Sequence, residues 1–276
     1  MKKCLLFFVT VFCITTSCFA QFFYKDILSN QQLVADMALY KENKIKVINI
    51  KSFENDGSPS RGFFCQKRIS KDYKRVELLT RSDVTGKAIS TSVFNNSSQL
   101  VSTTDSSNSA VTDNFYLYDS KGRIQSIKSV VRSNDDDFTN EMHEEHIYSY
   151  NENNQPVKMI RVKNSRDTTI ILFANDENNN VAIEKDTKNG SKYYYYYDAK
   201  KRLADIVQSN DFKTKLLPDY LFEYNGNGLL TQMTSTEEGG NYYFIWKYTY
   251  DNGLRVKEKC YGKDRNLLGS VEYEYK

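Results

Sequence analysis

The residues with chemistry to offer are few. His143 and His146 are the only two histidines, set in Glu141-Met-His-Glu-Glu-His146 behind Asp135-Asp136-Asp137. A zinc protease needs histidines four apart on a helix. These are three apart beside a predicted strand, where odd spacing sends them to opposite faces, so zinc is not expected. Asp135, Asp137 and Glu141 alternate with Thr139 as oxygen ligands for calcium would, but the glycine of a tight calcium loop is missing. A solvated hairpin tip is the simpler expectation, and no cofactor is expected. Cys65 and Cys260 have no histidine nearby, and neither a Gly-x-Ser-x-Gly elbow nor a glycine-rich phosphate loop occurs. Glu237 and Glu238 sit beside Gly239-Gly240, as a polar turn would. The chain reads as a non-enzyme. The rival reading is a carbohydrate-active hydrolase whose carboxylates meet across a sheet, as in glycosidases.

Aromatics are the richest stock. Tyr193 to Tyr197 are five tyrosines in succession, and Tyr242-Tyr243-Phe244-Ile245-Trp246 is a second run. Side chains alternate along a strand, so half of each run must point away from the core the other half builds. Either both faces are covered, or one is an aromatic platform for sugar rings or a partner protein. Trp246, Tyr195 and Tyr243 are the candidates for that platform.

These residues sit in a recurring phrase: an aromatic, a spacer, Tyr, Asp or Asn, a polar stretch, then an aliphatic. It reads Tyr116-Leu-Tyr118-Asp119-Ser-Lys-Gly122-Arg-Ile124, Tyr195-Tyr-Tyr197-Asp198-Ala-Lys-Lys-Arg-Leu203 and Phe222-Glu-Tyr224-Asn225-Gly-Asn-Gly228-Leu-Leu230. With the Asp or Asn as marker, Asn95, Asn151, Asp176 and Asp251 complete a series at intervals of 22 to 32 residues. Two strands and two tight turns need about 26 residues, so each interval is one hairpin. Alternating aromatics pack cross-strand, and Asp, Asn or Gly supplies the positive torsions of the turn.

The phrases resemble the tyrosine-aspartate repeats of the Rhs and teneurin families, over about residues 92 to 276. The repeat glycine is present at Gly122 and Gly228 but becomes Asn154, Asn179 or Lys201 elsewhere, and the Tyr248 unit is one residue short. In those families many repeats spiral into a shell around a toxin or form an adhesive rod; about seven units are too few for such a shell. The resemblance implies a fold rather than an activity.

The expected fold is all-β: an antiparallel meander of tandem hairpins in one long, twisted or curled sheet with one N-terminal helix. Ser29 with Gln32 forms a capping box, Leu28 and Leu33 a hydrophobic staple, and Leu33, Met37 and Tyr40 one apolar stripe, predicting a helix over 30–43 laid on the sheet. Ser102 to Ser109 reads as a hairpin loop, and the last strand, Val271 to Tyr275, as an edge that would invite pairing.

Residues 1–20 carry Lys2-Lys3, an apolar run from Leu5 to Ile14 and small residues before Gln21, the signature of a cleaved secretion signal. Residues 21–276 then form one domain. Lipidation at Cys18, the one route to membrane anchoring in this reading, would want an aliphatic residue where Thr15 stands. Losing the signal leaves 36 cationic side chains against 35 acids, a balance that argues against nucleic acid. Cys65 and Cys260 alone remain in an oxidising compartment, as a disulfide pair or as two buried thiols. The expected location is periplasmic, outer-membrane-associated or secreted, and the expected role binding or scaffolding with an envelope protein or glycan as partner. A small outer-membrane barrel is the third reading, against which lysines and acids recur throughout the strands.

Overall fold

The computed structural model describes residues 22–135, 141–209, 218–237 and 242–276; the expected signal sequence lies outside them. Eighteen strands follow one helix, α1 (Lys25–Glu42), beginning with β1 (Val47–Glu54), β2 (Phe64–Ile69), β3 (Arg75–Ser82), β4 (Gly86–Phe94), β5 (Leu100–Ser106) and β6 (Ala110–Tyr118). Then come β7 (Ile124–Ser133), β8 (Met142–Tyr150), β9 (Pro156–Lys163), β10 (Asp167–Asn175), β11 (Val181–Asp186) and β12 (Lys192–Tyr197). The series ends with β13 (Leu203–Ser209), β14 (Tyr220–Tyr224), β15 (Leu230–Thr236), β16 (Tyr243–Asp251), β17 (Leu254–Tyr261) and β18 (Leu267–Tyr275). Each strand pairs antiparallel with the next.

The expected open sheet is corrected by one pairing. β1 bonds β2 on one side and β18 on the other, with Ile48 opposite Tyr275 and Ser52 opposite Val271. Lys46 and Val47 donate to the carbonyl of Lys276, and Lys276 to that of Val47. The meander closes into a barrel, and the predicted edge strand Val271–Tyr275 is paired along its length. An even strand number lets the last antiparallel strand meet the first, and closure removes both edges.

The turns explain the repeat. At Asn95, Asp119, Asp176, Asp198 and Asn225 the side-chain Oδ1 accepts two backbone N–H groups, from the second and fourth residues onward. Asn151 does so from Gln155. The third residue after the marker always has positive φ: Ser98, Gly122, Asn154, Asn179, Lys201 and Gly228. Glycine suits that position, asparagine tolerates it, and the backbone bonds impose it on the others. After Asp251 the turn shortens to Asn252-Gly253, both at positive φ, a two-residue hairpin loop. This is why that unit is a residue short. The predicted loop Ser102–Ser109 is strand as far as Ser106, because its threonines and serines bond cross-strand, as Asn114 does to Thr103.

The repeat tyrosine stitches neighbouring hairpins together. At four markers the preceding tyrosine donates its hydroxyl to the carbonyl five residues past the preceding marker: Tyr118 to Leu100, Tyr150 to Ile124, Tyr197 to Val181 and Tyr224 to Leu203, at 2.6–2.9 Å. Tyr275 bonds Arg255, one residue earlier, as the shortened turn requires. Where the motif keeps its arginine, Arg123 and Arg202 pair with their marker aspartates and lie 4.5 Å over the rings of Tyr150 and Tyr224 in the next unit.

The helix crosses the lumen. It starts five residues before the predicted position, and Ser29 lies inside it rather than at its cap. Its start touches β8 and β11, its middle β6 through Asn30 and Tyr118, and its end β2 through Tyr40 and Lys67. Two apolar clusters result. Phe23 and Ile27 pack with Met159, Ile171 and Tyr195 on one side, and Met37 and Tyr40 with Ile48, Ile69 and Leu100 on the other. The predicted stripe of Leu33, Met37 and Tyr40 faces this second cluster. The inner face thus carries two apolar and aromatic clusters interspersed with buried polar groups such as Thr103, Glu184 and Glu258, and the outer positions carry ion pairs such as Lys128–Glu145, Lys257–Glu272 and Lys51–Glu274.

Candidate functional site

The densest chemistry among the described residues gathers inside the barrel at the start of the helix. Two wall strands bring it there. β8 turns Glu144, His146 and Tyr148 inward by alternation, and β11 does the same for Glu184. The chain entering α1 supplies Phe23, Tyr24 and Asp26.

Glu184 is 2% exposed, and both its oxygens are used. Oε1 accepts the backbone N–H of Phe23 and Oε2 that of Tyr24, each at 2.8 Å, and Oε2 also accepts the Tyr195 hydroxyl at 2.8 Å. These amides precede the first helical turn and have no helical partner, so a wall carboxylate does the work that a capping side chain does elsewhere. That is why the helix starts before Ser29. Burial pushes the Glu184 carboxyl up to about 7, against the three hydrogen bonds that favour its charged form.

Beside it, His146 is held between two carboxylates. Nδ1 lies 2.6 Å from Asp26 Oδ2, and Nε2 lies 2.7 Å from Glu144 Oε1. Glu144 also takes Arg161 at 2.7 Å, and the Tyr148 hydroxyl donates to Asp26 at 2.9 Å. Burial opposes the imidazolium, but the charge and hydrogen bond of Asp26, followed by those of Glu144, lift His146 to about 9. Glu144 is opposed by burial and then drawn down to about 2 by His146 and Arg161. An imidazolium with both N–H groups committed to carboxylates cannot accept a proton, so the histidine clamps the helix to the wall rather than serving as a base.

The other predicted residues are dispersed. Tyr195 and Trp246 face the lumen and are buried, whereas Tyr243 alternates to the outside and donates to the carbonyl of Lys263. The three therefore share no platform. Within Tyr193–Tyr197, Tyr193, Tyr195 and Tyr197 line the lumen, and Tyr194 and Tyr196 face out. Asp137 and Glu238 lie outside the described residues. Asp135 is exposed, Glu141 pairs with Arg132 and His143, and no acidic, histidine or cysteine group suited to a metal occurs among the described residues. Cys65 on β2 and Cys260 on β17 are both buried with β1 and β18 between them, and are not joined in a disulfide. Three strand spacings are about 14 Å, beyond the reach of an S–S bond. Sequence reasoning weighed His146 only as a zinc ligand and set it aside, and missed Asp26, Glu144 and Glu184; an acid at an inward strand position of a largely aromatic wall was the available signal.

No family model matches the chain, and no curated protein does. Among solved structures, a porin-like protein from Bacteroides uniformis is 11% identical with a TM-score of 0.40, over 84% of this chain and 98% of that one. A porin-like protein from Bacteroides vulgatus is 12% identical at 0.30, over 84% and 99%. The Photorhabdus luminescens Tc holotoxin pore is 12% identical at 0.34, over 78% of this chain but 12% of the toxin chain. At this similarity none of them defines an activity for this chain.

Proposed function

We propose that the protein is an exported, self-plugged β-barrel of the cell envelope that works by binding, with neither catalysis nor conduction as its role. The observation that carries this reading is the helix across the lumen, clamped by Glu184 and by the Asp26–His146–Glu144–Arg161 chain. A helix held across the lumen obstructs it, which supports the outer surface as the working part. The recurrent Tyr-to-carbonyl stitch supports reading the hairpins as tyrosine-aspartate units, here rolled into one ring.

Closure itself favours the outer-membrane-barrel reading over an open repeat sheet, and exposed Phe115, Leu117, Ile170 and Leu172 are apolar outer positions of the kind it needs. A lipid-facing band must also be free of charge around the whole circumference, because a Lys or Arg at the bilayer midplane costs about 2–4 kcal/mol. Here Lys51, Lys128, Glu145, Lys257 and Glu272 stand on outer strand positions. These outer charges support a barrel that stands in water at the envelope. Fractionation without detergent tests this: the protein is expected in the soluble or salt-extractable fraction as a monodisperse species, and recovery only in detergent micelles favours the inserted barrel.

A further inference from the structure

On the outer wall, β9 to β12 join exposed aliphatic side chains to lysines. Alternation puts Thr169, Ile171 and Phe173 inside, so Ile170, Leu172 and Ala174 face out; Ile170 is 40% and Leu172 43% exposed. Register extends the apolar surface sideways, with Ile160 opposite Ile170 on β9, Ile183 opposite Ala174 on β11, and Tyr194 opposite Ile183 on β12. A shallow groove runs here, floored by Leu172, Ala174, Ile183 and Tyr194 and edged by Lys185 and Lys192.

The charges of this sector are all of one sign. Lys158 and Lys185 flank Leu172 from either side, and Lys185 stands directly opposite Lys192. Like charges in direct cross-strand register are destabilising. Some outer lysines elsewhere meet carboxylates, as Lys51, Lys128 and Lys257 do, whereas Lys247 and Lys259 stand opposite each other with no ion pair among the described residues. No ion pair is formed by Lys158, Lys185 or Lys192 among the described residues, and no acid occupies an outer position of β9 to β12. Three unneutralised ammonium groups around exposed aliphatic side chains are complementary to an anionic amphiphile, whose headgroups meet the lysines and whose acyl region meets Ile170 and Leu172.

We infer that the outer face of β9–β12 docks the protein onto an anionic lipid surface, through Lys158, Lys185 and Lys192 around the apolar strip of Ile170, Leu172 and Tyr194. This rests on the water-standing barrel proposed above and gives it a partner: one sector touches the leaflet while the charged remainder stays in solvent. An acidic protein surface is the competing occupant, disfavoured because it would leave the exposed aliphatic side chains of Ile170 and Leu172 without an apolar counterpart.

The test is vesicle flotation of the detergent-free exported protein, with vesicles of phosphatidylcholine alone or with 30% phosphatidylglycerol as the probe. Binding to the anionic vesicles is expected, weakened by salt, with little to the neutral ones. The triple variant Lys158→Glu/Lys185→Glu/Lys192→Glu is expected to lose it; at about fivefold per lysine the loss is on the order of a hundredfold. Lys247→Glu/Lys259→Glu, on the outer faces of β16 and β17, is the control and should retain binding. The variant Ile170→Ser/Leu172→Ser, which leaves every charge in place, should weaken binding too. Equal binding to neutral and anionic vesicles, equal loss in the control pair, or no flotation by a soluble, folded parent overturns the inference, as does competition by polyglutamate at low micromolar concentration without effect of the serine pair. A parent that is insoluble without detergent instead overturns the water-standing barrel, so the two failures are distinct.

Discussion

At the scale of single residues, the buried cluster makes stability depend on pH in a direction that can be worked out. Glu184 has a folded value near 7, above the ordinary glutamate range, so folding is favoured by its protonated form; stability is present at low pH and declines as pH rises through 7. His146 is raised to about 9, so its contribution is complete below the ordinary histidine value and lost as pH rises through 9. Glu144 has the opposite sign: held near 2, it contributes above the ordinary glutamate value and is lost as pH falls through 2. Thermal melts across pH should therefore peak near pH 4.5, where the Glu144 contribution is complete and the Glu184 decline begins. Glu184→Gln is expected to flatten the decline between about 4.5 and 7, and His146→Gln that between about 6.5 and 9; unchanged slopes in both would remove the two groups from the account. Glu184→Ala leaves two buried amides without an acceptor and should cost about 2–4 kcal/mol in urea unfolding. These three positions show why the site was hard to read in sequence. The partners of Glu184 and His146 lie 160 and 120 residues away, and the inward strand position of Glu184 was the one local mark that set it apart from the surface acids.

At the scale of the element, the repeating hairpin is a single device used many times: a side-chain clamp on the turn and a tyrosine bond to the previous unit. Tyr118→Phe, Tyr150→Phe, Tyr197→Phe and Tyr224→Phe should each destabilise by about 0.5–1.5 kcal/mol, because each leaves one carbonyl short of a partner. Chemical denaturation of the four variants checks this, and a spread from zero to several kcal/mol would deny that they share a role. The unit with Asn175 in the tyrosine position is the exception that bears on it, since its Oδ1 is buried with no hydrogen bond. The hairpins, their period and the short turn after Asp251 were legible in the sequence because turn chemistry is local. The helix start was not, because Glu184 overrides the Ser29 cap from across the barrel. Nor was the facing of the aromatic runs, since alternation says that half point each way without saying which half meets the lumen.

At the scale of the whole molecule, ring closure decides what the surface can do. It depends on β1 meeting β18 across more than two hundred residues of chain, a contact that no local pattern encodes; the neat alternation of Val271, Tyr273 and Tyr275 reads equally well as a free edge or as a closing strand. Once closed, the wall has no exposed edge for strand exchange, and its interior is taken by α1. The outside carries charged positions around it, among them the apolar, cationic sector of β9–β12. The central claim, that this barrel stands in water, is tested most directly by labelling lysines with a membrane-impermeant amine reagent on the isolated envelope material and mapping them by mass spectrometry. Lys51, Lys128, Lys247 and Lys257, spread around the circumference, are predicted to react at comparable rates, with protection confined to Lys158, Lys185 and Lys192. A continuous belt of protected lysines around the barrel would contradict the account and put the wall in lipid.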